Sequence, residues 1–150
     1  MTSVTLNFKD YMDITDEGLE VLARVLPSSL ANLSVSFKGC VGITEEALKN
    51  LHRALPSNLT DLLLDFRCYE NITDKDLNLL ASVVPSSLVN LSVNIKGCEN
   101  LNDEGLQLLA RAIPSGLASI SARSRYITDE GLKVLARFLH SSLASLSLHH

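Results

Sequence analysis

Residues 30–58, LANLSVSFKGCVGITEEALKNLHRALPSN, decide the fold. The stretch opens with alternation: Leu33, Val35 and Phe37 are apolar, and Ser34, Ser36 and Lys38 between them are polar. A period of two is the pattern of a strand buried on one face. The short turn KGCVG follows, and Thr44 then stands where a helix N-cap belongs. Glu45 and Glu46 occupy the first turn, where the helix dipole favours acids. Leu48, Leu51 and Leu55 recur at three- and four-residue spacing, which is one face of a helix. Pro56 stops that helix, because its ring disfavours helical geometry in the residue before it. Ser57 and Asn58 turn the chain toward the next strand.

The same choices recur along all 150 residues. Val4, Leu33, Leu62, Leu91 and Ile120 hold one position, each 29 residues after the last, and Leu146 opens a sixth copy after a shorter step of 26. N-caps fall at Thr15, Thr44, Thr73, Asn102 and Thr128; stops fall at Pro27, Pro56, Pro85 and Pro114, with His140 in their place at the end. The units run 4-32, 33-61, 62-90, 91-119 and 120-145, with a final strand at 146-150, in a single domain, 1-150. Strands separated by helical crossovers are parallel. One unit cannot bury its apolar faces alone, so stacked units build a continuous core. The fold class is α/β.

The repeat resembles the leucine-rich repeat family. The residues that carry the likeness are Leu30-x-x-Leu33-x-Val35 with Cys40, Leu59-x-x-Leu62-x-Leu64, Leu88-x-x-Leu91-x-Val93 with Cys98, and Leu117-x-x-Ile120. The ITDEGL segments at 14–19 and 127–132 are similar to the cysteine-containing subclass of F-box-type proteins, whereas the unit length and full helix are more like the ribonuclease-inhibitor subclass. Cys40 and Cys98 follow Val35 and Val93 by five residues where the family pattern has three; Phe8, Phe37, Phe66 and Ile95 fill the extra length and extend the inward row. The resemblance implies a right-handed solenoid, a horseshoe with a parallel β-sheet on its concave face and α-helices on its convex face. It also implies a protein-binding scaffold.

Composition narrows the classes. Hydrophobic residues make up 46% and charged residues 20%, as in an ordinary folded chain, and with few aromatics and no Trp the core must be aliphatic. A net charge of -4 disfavours general nucleic-acid binding, which needs a basic surface. The start, MTSVTLNFKDYMD, has neither the basic nor the apolar region of a signal peptide. No apolar run reaches the roughly 18 residues of a membrane helix. Three cysteines are an odd number without the spacing of a disulfide framework. Cys40 and Cys98 lie two strands apart, about 10 Å, beyond the reach of a disulfide. The expectation is a cytoplasmic, reducing setting, no membrane and no nucleic acid.

Strand alternation also sorts the solvent face into columns. Thr5, Ser34, Leu63, Ser92, Ser121 and Ser147 form the first. Asn7, Ser36, Asp65, Asn94, Arg123 and His149 form the second. Lys9, Lys38, Arg67, Lys96 and Arg125 form the third, a cation at the same place in five successive copies. Strands pair about 4.8 Å apart, so stacked cations repel unless anions or neighbouring acids offset them. That makes the third column, with Asn7, Ser36, Asp65, Asn94 and Arg123, the candidate surface for an acidic protein partner. The bland alternative is an ancestral Lys copied with the repeat, its stem covering the Phe row.

No phosphate loop, nucleophile elbow or convergent metal ligands occur in the sequence, and the paired acids are helix-start residues. The reading is therefore no enzyme, no cofactor and no metal. Three other classes fit the repeat: a sensing segment of a larger receptor, the substrate-recruiting part of an F-box-type adaptor, and an engineered repeat protein. An open strand at Val4, Leu6 and Phe8 further suggests end-to-end self-association. His149-His150 are either strand residues or a tag remnant.

Overall fold

The computed structural model describes residues 2–9, 14–40, 45–67, 72–76, 78, 84–94, 107, 119–123, 128–137 and 145–149. Among the described residues there are six strands: β1 (Thr2–Asn7), β2 (Leu30–Ser36), β3 (Asp61–Asp65), β4 (Asn90–Asn94), β5 (Ser119–Arg123) and β6 (Ser145–His149). They form one parallel sheet in sequence order. Helices α1 (Asp16–Arg24), α2 (Glu45–Arg53) and α3 (Asp129–Arg137) lie between strands, and residues 74–76 are helical between β3 and β4. The architecture is α/β.

The sequence spacing becomes the pairing register. Leu33 stands opposite Leu62, Leu62 opposite Leu91, Leu91 opposite Ile120 and Ile120 opposite Leu146. The three residues missing from the fifth copy therefore leave the ladder intact. His149 pairs with Arg123 inside β6 and so serves as a strand residue; His150 lies outside the described residues.

Alternation puts the expected row inside. Leu33, Val35 and Phe37 are buried, as are Leu62, Leu64 and Phe66, and Leu91 and Val93. Phe8, Phe37 and Phe66 stack, with ring centroids 5.9 Å and 5.6 Å apart and planes within 20° and 13°. The backbone pairing continues beneath this row: Phe8, Phe37 and Phe66 N–H groups donate to the carbonyls of Ser36, Asp65 and Asn94 at 2.8 Å. The buried Cys40 thiol donates to the Phe8 carbonyl at 3.0 Å, joining adjacent repeats. Ile95, Cys68, Cys98, Ser124 and the tyrosines Tyr11 and Tyr69 lie outside the described residues.

The helix starts use one position with different hydrogen bonds. Thr15 takes the extended conformation of an N-cap, and its carbonyl accepts the Leu19 N–H, but its side chain makes no cap bond. Thr128 Oγ1 accepts the Gly131 N–H at 3.2 Å. At the third copy the Asp76 carboxylate reaches back to the Thr73 N–H at 2.8 Å, the reciprocal arm of a capping box. Ahead of β2, β3 and β4 the same turn closes: Leu30, Leu59 and Leu88 donate to the carbonyls of Pro27, Pro56 and Pro85. The N-caps at Thr44 and Asn102 and the stops at Pro114 and His140 lie outside the described residues.

His52 of α2 is buried where α1 and α3 carry Ala23 and Ala136. Burial pushes its imidazole down from 6.5 to about 4. The unfolded chain thus takes up this proton at a higher pH than the folded one. The neutral-histidine contribution is present above pH 6.5 and is lost as pH falls toward 4. A shift of this size is worth about 3 kcal/mol. Urea midpoints should fall across that window, and His52→Ala should flatten the fall; an unchanged pH slope in the variant would refute the assignment. Phe37→Ala, at the centre of the stacked row, should cost about 3–5 kcal/mol in urea unfolding.

Candidate functional site: the open face of the sheet

The face opposite the helices is built by the residues between the buried ones. Its middle column holds Thr5, Ser34, Leu63 and Ser92, in register across β1 to β4. Leu63 is the only large apolar side chain of this column, and it is exposed. A shallow depression of about 340 Å³ runs along the column and is bordered by Ser3, Asn32, Asp61 and Asn90.

Those four bordering residues form a further column at the start of each strand. Asn32 Nδ2 donates to Ser3 Oγ at 2.9 Å. Asn90 Nδ2 donates to Asp61 Oδ1, and Thr60 Oγ1 donates to Asp61 Oδ2 at 2.9 Å. Alternation within a single strand does not reveal this ladder. Its signal was available as Ser3, Asn32, Asp61 and Asn90 at one repeat position, two residues before the middle column.

Asn7, Ser36, Asp65 and Asn94 stand at the strand ends, as alternation predicts. The first three turn back on their own backbone. Asn7 Oδ1 accepts the Lys9 N–H at 3.0 Å, Ser36 Oγ lies 3.5 Å from the Lys38 N–H, and Asp65 Oδ1 accepts the Arg67 N–H at 3.1 Å. These three residues thus cap the ends of β1, β2 and β3. Arg123 holds the equivalent place in β5.

The cations follow the strands rather than lying within them. Lys9 is exposed, and Lys38 is half-buried just before Gly39, whose φ of 73° makes the turn and favours a residue without Cβ. Gly39 N–H donates to the Arg67 carbonyl at 3.2 Å, holding the turns in line. Arg67 grips Asp65 with two groups: Nε lies 3.0 and 3.1 Å from the carboxylate oxygens, and Nη2 lies 2.7 Å from Oδ2. Ser36 Oγ adds a contact to Asp65 Oδ2 at 3.4 Å. Burial by itself would raise the Asp65 carboxyl; the Arg67 side-chain and backbone bonds outweigh it and hold the group below the ordinary carboxylate range. The Arg67 charge is therefore matched within the repeat. Lys96 and Arg125 lie outside the described residues.

Among the described residues, no group of three His, Cys, Asp or Glu is placed to hold a metal. No helix among them is long and apolar enough to cross a membrane.

The chain matches no protein-family model. It also matches no curated protein sequence. Its fold is similar to the crystal structure of the leucine-rich repeat-containing protein LegL7 from Legionella pneumophila, with a TM-score of 0.53 and 18% identity. The likeness covers 99% of this chain and 56% of that structure. At this identity the shared property is the fold: a parallel α/β repeat stack of leucine-rich-repeat type.

The Asp65–Arg67 pair stabilises the face as built. Asp65→Ala removes the acceptor of one backbone and several guanidinium hydrogen bonds, and should cost about 1–3 kcal/mol in urea unfolding. The loss should be full at neutral pH and should shrink in acid, where wild-type Asp65 is protonated too. A cost that does not change with pH would refute the charge pairing.

Proposed function

We propose that the chain is a non-catalytic protein-interaction scaffold that contacts its partner through the open face of the sheet. On this reading the sheet lines the concave side of a right-handed horseshoe and the helices cover the convex side. Strands pack about 4.8 Å apart and helices about 8–10 Å, so a stack that satisfies both layers bends toward the strands. Parallel crossovers of this kind are right-handed in nearly all proteins.

The observation that carries the reading is the prior ordering of the open face. Asn32 holds Ser3, Asn90 holds Asp61, and Arg67 holds Asp65, across strands or along them, before anything binds. A face fixed in advance loses less conformational entropy on association. Leu63 supplies an exposed apolar contact at its centre. Lys9 and Lys38, with Lys96 and Arg125 in the same repeat position, supply the cations for an acidic segment of the partner, whereas Arg67 is committed to Asp65. The buried Cys40 thiol suits a reducing compartment such as the cytoplasm.

Affinity capture from lysate tests this with three versions of the chain. Leu63→Glu should weaken retention of the bound protein about tenfold or more, as expected for an apolar contact near the centre of an interface. Lys9→Glu/Lys38→Glu should weaken it chiefly at low salt. Arg53→Glu, on the helix side, should leave it unchanged. Equal retention by the Leu63 variant and the wild type would overturn the open face as the binding surface.

A further inference from the structure

On the open face β3 differs from the strands beside it. Opposite Asp61, Leu63 and Asp65, both neighbouring strands carry only Asn or Ser. Arg67 matches the charge of Asp65. Leu63 is 41% exposed. Asp61 is half-buried and accepts from neutral donors, Asn90 Nδ2 and Thr60 Oγ1. Thr60 Oγ1 also lies 3.1 Å from the Ala31 carbonyl, and its one proton serves a single acceptor at a time. Among the described residues no cation pairs with Asp61. β3 thus sets an unmatched carboxylate two residues, about 7 Å, from an exposed apolar side chain.

The strand-start ladder is interrupted at the same place. Asn32 bonds to Ser3, and Asn90 bonds to Asp61. Asn32 and Asp61 are partners in register, yet among the described residues no hydrogen bond joins them, and the Asn32 amide oxygen accepts none. Two acceptors therefore stand on strands about 4.8 Å apart with no donor between them. The group that such a gap lacks is a cationic donor. The depression of about 340 Å³ contains this gap. It is three residues wide along the strands, about 7 Å, and crosses β1 to β4, about 14 Å. A helix with its side chains is about 10–12 Å across and too wide to enter, whereas an extended chain fits.

We propose that this gap and Leu63 together hold an extended segment of the partner in which an arginine or lysine lies within two residues of a bulky apolar residue. The inference rests on the open face being the binding surface. The cation enters between Asn32 and Asp61, and the apolar residue covers Leu63 on the opposite wall. Arginine fits better than lysine, because its planar fork supplies donors to the carboxylate and to the amide oxygen at once. The acidic part of the partner that meets Lys9 and Lys38 lies elsewhere: Lys38 follows Asn32 by six residues, about 20 Å along the strand direction. Basic and acidic parts thus engage opposite ends of the strands, which fixes the direction in which the partner lies.

A random linear peptide library displayed on phage, selected on the intact 150-residue chain, tests this. The enriched peptides should carry Arg or Lys within two residues of a Leu, Ile, Met or aromatic residue. A synthetic copy of such a peptide is then titrated by calorimetry into the wild type and three variants, each folded by circular dichroism. Asp61→Asn should weaken binding about tenfold, with a smaller ratio at high salt. Leu63→Ser, which installs the residue of the neighbouring strands, should weaken it too. Asn32→Asp, which adds a second charge to the gap, should strengthen it. A selection that enriches nothing, or only peptides without a cation, overturns the proposal. So does equal affinity for the wild type and Asp61→Asn. In that case a loss with Leu63→Ser removes only the cation pocket and leaves the open face as the binding surface, whereas no change with either variant removes both.

Discussion

Parallel backbone pairing in a constant register is the constraint on which the rest of this structure depends. A one-residue slip would move every apolar strand residue to the open face. Here the buried row and the backbone ladder hold each other in place. Leu33, Leu62, Leu91, Ile120 and Leu146 line up because the strands pair, and the strands stay paired because the row beneath is close-packed. Phe8, Phe37 and Phe66 extend that lock past the strand ends, where their N–H groups still reach the neighbouring carbonyls. The shorter fifth unit shows which quantity is fixed: its chain length differs from the others, yet Ile120 and Leu146 remain opposite each other.

This constraint explains what the sequence made legible. Positions whose environment repeats in one dimension, such as Leu33, Val35 and Phe37, follow from alternation alone. So does Thr15 as the residue before a helix. Roles set by a neighbour 29 residues away do not. The strand-start ladder depends on Asn32 meeting Ser3 and Asn90 meeting Asp61 across the sheet. The sequence already sets Asp65 beside Arg67 in an otherwise repeated cation column, and the described members divide there: Arg67 folds onto Asp65 because that copy alone has an acid at the strand end, whereas Lys9 follows Asn7 and Lys38 follows Ser36. A single substitution in the adjacent column thus decides whether a repeated charge faces a partner or serves its own repeat.

The helix layer is less uniform than the sheet, and the reason is physical. Strands must match at every backbone amide, whereas neighbouring helices share only side-chain contacts and tolerate more variety. His52 replaces the alanine of α1 and α3, and Asp76 replaces the glycine of the same two helices. Both are buried, and neither His52 Nδ1 nor Asp76 Oδ1 has a hydrogen-bonding partner among the described residues. Each such group costs about 1–3 kcal/mol of desolvation. Burial correspondingly drives both groups toward their neutral forms, the imidazole downward and the Asp76 carboxyl upward, with Glu45 adding to the latter. The junction between the second and third repeats therefore combines a fully paired sheet with a polar, incompletely satisfied helix contact. Acid shifts the stability of such a junction through the helices first, while the face that carries Leu63 keeps its backbone ladder. In a stacked repeat, variation accumulates where the register does not reach, and the open face stays ordered because its side chains stand on the register itself.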